Sequence, residues 1–363
     1  MNISSMNIHE VTTQYEQWLT TYTPLIQADL DTKHQQMSAK VFSFLRATYY
    51  RWTQAWPDTC SNLTDAPSVL AVGDLHFANY GTWRDREGRL CWGINDFDVA
   101  SPLPYTHDLT RLAASAILAI RAKQLRLKPE DACSAILNGY TEGIGSNGKA
   151  FVLAEQHGWL RDIAMNSLKK PQAFWQKMDA LPDITEPLPE SARVALEQAL
   201  PVLGMRYQVK HRTTGSGSLG LPRYVAIAEF EDGRVAREAK AMVPSPVVWA
   251  SNQQEPVEYF YETVVEQAVR AHDPFTQVQG DWIIRRLAPD CIRIELTNLP
   301  DVDTEGKLLH AMGKETANVH LGSRQAAVTI QQDMAKRAQG WLLQGASAMV
   351  AVVQQDWQEW NRG

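Results

Sequence analysis

Two short stretches carry side chains suited to phosphate chemistry. Gly73-Asp74-Leu75-His76-Phe77-Ala78-Asn79 sets a carboxylate and an amide oxygen five positions apart, so one tight loop can present both on one side. Asn95-Asp96-Phe97-Asp98 follows, at the end of a short apolar run. Phosphoryl transfer needs a carboxylate to orient or deprotonate an attacking hydroxyl, and oxygens to hold Mg²⁺ against phosphate. Asp74 is the candidate base. Asn79 and Asp96 are candidate magnesium ligands. Asp98 is either a further ligand or a turn-capping carboxylate. His76 reads as a histidine packed inside its own loop.

A third stretch, Gly215-Ser216-Gly217-Ser218-Leu219-Gly220, lies between two strand-like runs. Glycines allow backbone N–H groups to approach phosphate oxygens. A strand follows this loop, which argues against a dinucleotide fingerprint and for a strand-loop-strand phosphate cover. Lys240 comes 20 residues after Gly220 and offers a point charge for phosphates. The next helical run carries Glu258, Glu262 and Glu266 on one face, and one of these three is the expected partner of Lys240. Arg46 either reaches toward a phosphate or pairs with an acid such as Asp108.

These loops need elements to hold them. Residues 8–56 carry aromatic and aliphatic residues at helical spacing and read as two helices. Strands are expected over Ser68–Val72 and Arg89–Ile94, with a turn at Asp85–Gly88 between them. A helix follows from His107 to about Leu125, and further helices run to about residue 178. Three prolines within 181–190 mark a surface loop or linker. Strands are then expected over Met205–Arg212, Arg223–Glu229 and Arg234–Met242, the last two joined by an Asp232-Gly233 turn. A helix over Pro256–Ala271, strands over Asp281–Leu287 and Cys291–Leu296, and helices over 304–321 and 323–360 complete the chain.

Composition bounds the rest. The 363 residues are 44% hydrophobic and 21% charged, an ordinary globular balance with room for two cores. The net charge of −6 argues against a dedicated nucleic-acid or anionic-membrane binder. The four cysteines are scattered with no Cys-x-x-Cys pair, and the residues after Met1 show no targeting pattern. A cytoplasmic protein with no membrane or nucleic-acid partner is the expectation.

Gly73-Asp74-Leu75-His76-x-x-Asn79 followed by Asn95-Asp96-Phe97-Asp98 resembles the catalytic loop and metal-binding motif of aminoglycoside phosphotransferases and other small-molecule kinases of the protein-kinase superfamily. Asp108-Leu109 resembles the Asp that supports the catalytic loop from below in those folds. More closely, the chain resembles an uncharacterised bacterial kinase-like family known as a domain of unknown function. Phe42–Arg46, Asp108–Ser115, the Gly215–Gly220 loop and Lys240 add to the likeness, which covers roughly residues 36–325. Val72 stands where many relatives carry a histidine.

The motif order differs from that of kinases, which place the glycine loop first. We therefore expect an α+β, two-lobed, protein-kinase-like fold that is circularly permuted. A helical lobe over 1–202 carries the catalytic and metal loops, a small β-rich nucleotide lobe spans 203–300, and helices over 301–363 return to the first lobe. The resemblance implies an ATP- and Mg²⁺-dependent phosphotransferase acting on a hydroxyl of a small-molecule acceptor. In it Gly215, Ser216, Gly217, Ser218 and Gly220 cover the phosphates, Lys240 and Glu266 contact or support them, and Asn79, Asp96 and Asp98 hold metal. A catalytically inactive or AMP-transferring protein is an alternative. A two-metal phosphoesterase is a remoter one, since only Asp74-x-His76 of its motifs occurs. Permutation makes one geometric demand: the end of the 304–321 helix must lie near Gly73.

Overall fold

The computed structural model describes residues 6–153, 156–168, 170–251 and 257–363. It is a mixed α+β fold with several small sheets among the described residues. The 8–56 region forms four helices and not two: Ile8–Leu19, Gln27–Ala39, Val41–Ala47 and Tyr49–Thr59. The extra breaks fall at Lys40 and Thr48, whose backbones leave the helical region with no proline or glycine to announce it. Asn7 and Glu10 form a capping box that fixes where the first helix starts.

The helix Tyr105–Arg121 is buried from Tyr105 to Ala119 and runs through the main core. Because it is enclosed, its polar residues must find partners inside the protein. The helices Pro129–Gly145, Val302–His320 and Trp341–Trp360 surround it. Pro129–Gly145 and Val302–His320 cross backbone against backbone. A β-carbon added at Gly139 would collide with the His310 carbonyl, and one at Gly313 with the Ile136 carbonyl. The 323–360 run is two helices, Ala326–Met334 and Trp341–Trp360, separated at Gly340, whose φ is +77°.

Two small sheets flank the loops of interest. Ser68–Ala71 pairs with Ser101–Pro104, and Tyr80–Arg84 pairs with Leu90–Ile94, which pairs with Phe151–Val152. Cys291–Leu296 is not a regular strand. It touches the second sheet through a single bridge, Gly81 to Arg293, and through Thr82 N–H donating to the Ile292 carbonyl at 2.9 Å.

The third sheet is antiparallel and five-stranded. Its order is Gln208–His211, Arg223–Phe230, Gly233–Ala241, Trp282–Leu287, Gln277–Gln279. One face (Tyr224, Ala226, Ala239, Ala241, Trp282, Ile284) packs on the helix Glu190–Ala199. On the other face, Val225, Ile227 and Ala236 pack on the helix Pro171–Asp179 through Phe174 and Met178. Both helices precede residue 202, so the expected boundary there separates them from the sheet they cover. The helix expected over Pro256–Ala271 spans Tyr261–Gln267, and its expected start at Pro256 lies outside the described residues.

The helix crossing gives a stability prediction. Gly313→Leu forces two backbones apart and should cost at least about 2 kcal/mol, seen as a lowered midpoint in urea unfolding at an unchanged slope. An unchanged midpoint would mean that the crossing is looser than described.

Candidate active site

The loop Gly73–Asn79 is held from beneath by Asp108, as the resemblance implies. The Asp108 carboxylate accepts the Val72 amide at 2.7 Å and the Gly73 amide at 3.0 Å. It also lies 3.0 Å from His320 Nε2, and His320 Nδ1 lies 2.8 Å from the Tyr140 hydroxyl. His320 ends the helix Val302–His320, so the end of that helix does lie next to Gly73. Burial would raise the Asp108 carboxyl, but the His107 ring 3.6 Å away and the hydrogen bond to His320 hold it well below the usual carboxylate range.

One turn further along the same helix, Arg111 donates from Nε to Asp74 Oδ1 at 2.9 Å, and its Nη2 reaches the same oxygen. This clamp leaves Asp74 Oδ2 for the cleft. Burial raises the Asp74 carboxyl, and Arg111 and Arg46 only partly offset it. Asn79 is buried, and its Oδ1 accepts the His76 amide at 2.7 Å, so it closes the loop on itself. His76 is buried, and burial together with Arg46 and Arg111 keeps its ring neutral. Its Nδ1 accepts the Ala78 amide at 3.2 Å, a contact inside its own loop. The Asn95 amide donates to the Asn79 carbonyl at 3.0 Å, which ties the Asp96 segment to the loop.

The glycine loop closes over these groups from the five-stranded sheet. A β-carbon at Gly217 would lie 2.9 Å from the Arg46 carbonyl and 3.3 Å from Asp74 Oδ2. Only a residue without one lets the loop backbone lie this close. Gly215 precedes a single 3₁₀ turn over Ser216–Ser218. The Ser216 hydroxyl donates to Gln36 Oε1 at 2.9 Å, Arg223 donates to the Ser218 hydroxyl at 2.6 Å, and Gly220 sits against Leu30.

Lys240 is buried and pairs with Asp98, with Asp96 Oδ1 at 3.7 Å. Glu266, its expected partner, is exposed on the far side of its short helix, where Tyr261 and Val264 are the buried positions. It borders a separate shallow depression of about 930 Å³ with Asp65, Ser323 and Arg324. The pairing with Glu266 is therefore corrected to Asp98 and Asp96. Arg285 donates to Asp96 and to Asp98, both at 3.1 Å. Burial would raise the Asp96 carboxyl, but Lys240 and Arg285 pull it far below its ordinary value. Burial pushes the Lys240 ammonium down to about 8, against the pull of Asp96. Asp98 faces the cleft and is engaged by two cations, Lys240 and Arg285.

Sequence reasoning did not assign Arg111, Arg223, Glu238 or Arg285. Glu238 and Lys240 lie two apart on one strand and so share a face. Arg223 pairs in register with Lys240, and Arg285 with Glu238. Burial would raise Glu238, but Arg212, Arg223 and Arg285 hold it down at about 2. The two-residue spacing of Glu238 and Lys240 was the available signal on the sheet, and Arg223 and Arg285 carried none. For Arg111 it was the three-residue spacing from Asp108, which places both on one side of a helix.

Asp74, Asn79, Asp96, Asp98, Gly215, Gly217, Ser218 and Lys240 thus line one cleft of about 640 Å³. Among the described residues, no group of three or more His, Cys, Asp or Glu side chains is placed to hold a metal on its own. No described helix is long and apolar enough to cross a membrane.

The family model described as "Uncharacterized protein conserved in bacteria (DUF2252)" matches residues 25–159 and 165–362, and the chain belongs to that family. No curated protein and no solved structure matches the chain.

The Asp108 arrangement is testable by unfolding. Asp108→Ala strands two buried amides and should cost about 3 kcal/mol near pH 7. A carboxyl held low in the fold stabilises above the unfolded value of about 4 and loses that contribution as pH falls. The gap between wild type and Asp108→Ala should therefore narrow on acidification below about pH 4. A pH-independent gap would contradict the assignment.

Proposed function

We propose that this family member is an ATP- and Mg²⁺-dependent phosphotransferase acting on an alcohol, built on a circularly permuted, two-lobed kinase-like fold. The observation that carries the reading is convergence: the glycine loop, Lys240, Asp96, Asp98 and Asp74, spread over more than 140 residues of sequence, line one cleft. The order along the five-stranded sheet supports it. A glycine loop joins the first two strands, the lysine is on the third, and a helix precedes the next strand, which is the order the resemblance implies.

The donor set suits magnesium. Asp96 and Asp98 offer hard oxygens, and Mg²⁺ is commonly held by one or two carboxylates together with substrate phosphates. Lys240 and Arg285 now neutralise both carboxylates, and a nucleotide's phosphates would draw these cations toward themselves. Bound there, the metal would offset phosphate charge.

The chain's own residues then have separate duties. Asp74 Oδ2 takes the proton of the acceptor hydroxyl while Arg111 fixes the carboxylate through Oδ1. The acceptor oxygen bonds to the terminal phosphorus of ATP as its bond to the bridging oxygen breaks, giving a phosphate ester and ADP. Lys240 and Arg223 meet phosphate charge from the sheet, and the Gly215–Gly220 backbone covers it. Asn79 keeps the loop closed so that Asp74 does not swing away. Most of the rate gain comes from such positioning and charge placement.

Two measurements test this reading. Asp74→Asn should lower Mg²⁺-dependent ATP turnover by about 10²–10⁴-fold while leaving the calorimetric affinity for Mg²⁺ and a non-hydrolysable ATP analogue nearly unchanged. Undiminished turnover, or no binding by wild type, would overturn it. The second uses Lys240. An ammonium held at about 8 is partly neutral at pH 8.5, and a bound phosphate favours its protonated form. Nucleotide binding should take up protons at pH 8.5 and not at pH 6.5, seen as a buffer-dependent binding enthalpy that Lys240→Met abolishes. A buffer-independent enthalpy at pH 8.5 would remove Lys240 from the phosphate site.

A further inference from the structure

The cleft holds more cation than its carboxylates engage. Asp74 is paired with Arg111, Asp96 and Asp98 with Lys240 and Arg285, and Glu238 with Arg212 and Arg223. Three lining guanidiniums are left over: Arg270, which lies over the Trp83 and Phe97 rings at 4.6 and 5.0 Å, and the pair Arg46 and Arg293. Among the described residues neither member of that pair has a carboxylate within ion-pair distance. Arg46 Nε lies 3.2 Å from His76 Nε2, and its guanidinium sits over the Phe42 ring at 5.9 Å, so its stem is fixed. Arg293 is exposed at the cleft and is anchored through its backbone bridge to Gly81.

Their placement separates them from the phosphate-facing sheet. Arg46 belongs to the helix Val41–Ala47, and its own carbonyl faces Gly217 beside Asp74 Oδ2. Arg293 lies on the segment that crosses the Tyr80–Arg84 strand, which begins directly after Asn79. Arg46 therefore flanks the Asp74 loop, and Arg293 lines the same cleft from the segment that bridges Gly81. Like charges kept together in a cleft mark a place where an anion is missing. Guanidinium forks match phosphate and carboxylate oxygens in pairs, with a directionality that lysine lacks.

We propose that Arg46 and Arg293 form an anion subsite beside Asp74, so that the acceptor is an alcohol carrying its own phosphate or carboxylate group. This rests on the reading of Asp74 as the group that receives the acceptor hydroxyl. It narrows the acceptor from any small alcohol to an anionic one and leaves neutral sugars and cationic amino alcohols as poor substrates. The anionic group would anchor the acceptor at one end while its hydroxyl lies at Asp74 Oδ2.

The test uses inorganic phosphate as the probe, titrated calorimetrically into the full chain saturated with Mg²⁺ and a non-hydrolysable ATP analogue, so that the nucleotide's own phosphate positions are filled. Wild type should bind phosphate, and Arg293→Gln and Arg46→Gln should each weaken it about tenfold or more while analogue affinity changes less than about twofold. Arg293→Gln alters an exposed side chain and so keeps the test valid if Arg46→Gln does not fold. With the analogue in place, glycerol 3-phosphate and glycerate should raise the melting temperature and glycerol should not. No phosphate binding by saturated wild type, or an equal loss of analogue and phosphate binding in the variants, would overturn the subsite. In the second case the pair would belong to the nucleotide. If wild type binds no nucleotide, phosphate is titrated into the free protein. Arginine-dependent binding then keeps the subsite while the kinase reading falls, and arginine-independent binding overturns the subsite as well.

Discussion

The carboxylate of Asp108 is the constraint on which the site depends. It is fully buried, and it accepts two backbone amides from the loop that carries Asp74 while bonding to His320 at the end of another helix. A buried charge of this kind is tolerable only when every lone pair is used. Asp108 therefore fixes three pieces at once: its own helix, the Gly73–Asn79 loop and the helix Val302–His320. Arg111, three residues on, inherits that position and aims Asp74. The Asp74 carboxylate is thus set by a chain of hydrogen bonds that begins in the core and ends at the cleft.

The two sides of the cleft divide the charge. The helical side supplies the carboxylates Asp74, Asp96 and Asp98. The five-stranded sheet supplies Lys240, Arg223 and Arg285, all on one face of neighbouring strands. Ion pairs across the gap hold the sides together. Such pairs are also the contacts that a polyphosphate with its metal would exchange, since the ligand replaces one set of opposite charges by another. The N-terminal helices complete the enclosure. Gln36 and Leu30 of the Gln27–Ala39 helix rest on Ser216 and Gly220, and Asp29 lies 2.9 Å from His211 at the end of the strand before the loop.

What could be read from sequence was what is local. The Gly73–Asn79 and Gly215–Gly220 loops declare themselves through short-range composition, and the 304–321 helix is found within two residues of its bounds. The meeting of that helix with Gly73 was legible only because motif order demanded it. Partners distant in sequence were not. Lys240 took Glu266 as its expected partner because Val264-Val265-Glu266-Gln267 matches the pattern of the family it resembles, yet the fold brings Asp98 to it from 142 residues away. The breaks at Lys40 and Thr48 carry no glycine or proline and are imposed by packing. The strand Tyr80–Arg84 was missed because its first four residues are buried on both faces, which removes the alternation that identifies a half-buried strand. Cys291–Leu296 has a strand-like composition but meets only one bridge partner, so composition overstated it.

The central claim is that this cleft is a polyphosphate site, and hydrogen exchange read by mass spectrometry tests it most directly because it reports where a ligand sits. Adding ATP with Mg²⁺ should slow exchange in 212–223, in the end of the Gly233–Ala241 strand near Lys240, and in 74–79 and 95–98. The depression beside Glu266 and Ser323 should be unaffected. Absence of protection at the glycine loop, or protection confined to that depression, would contradict the account.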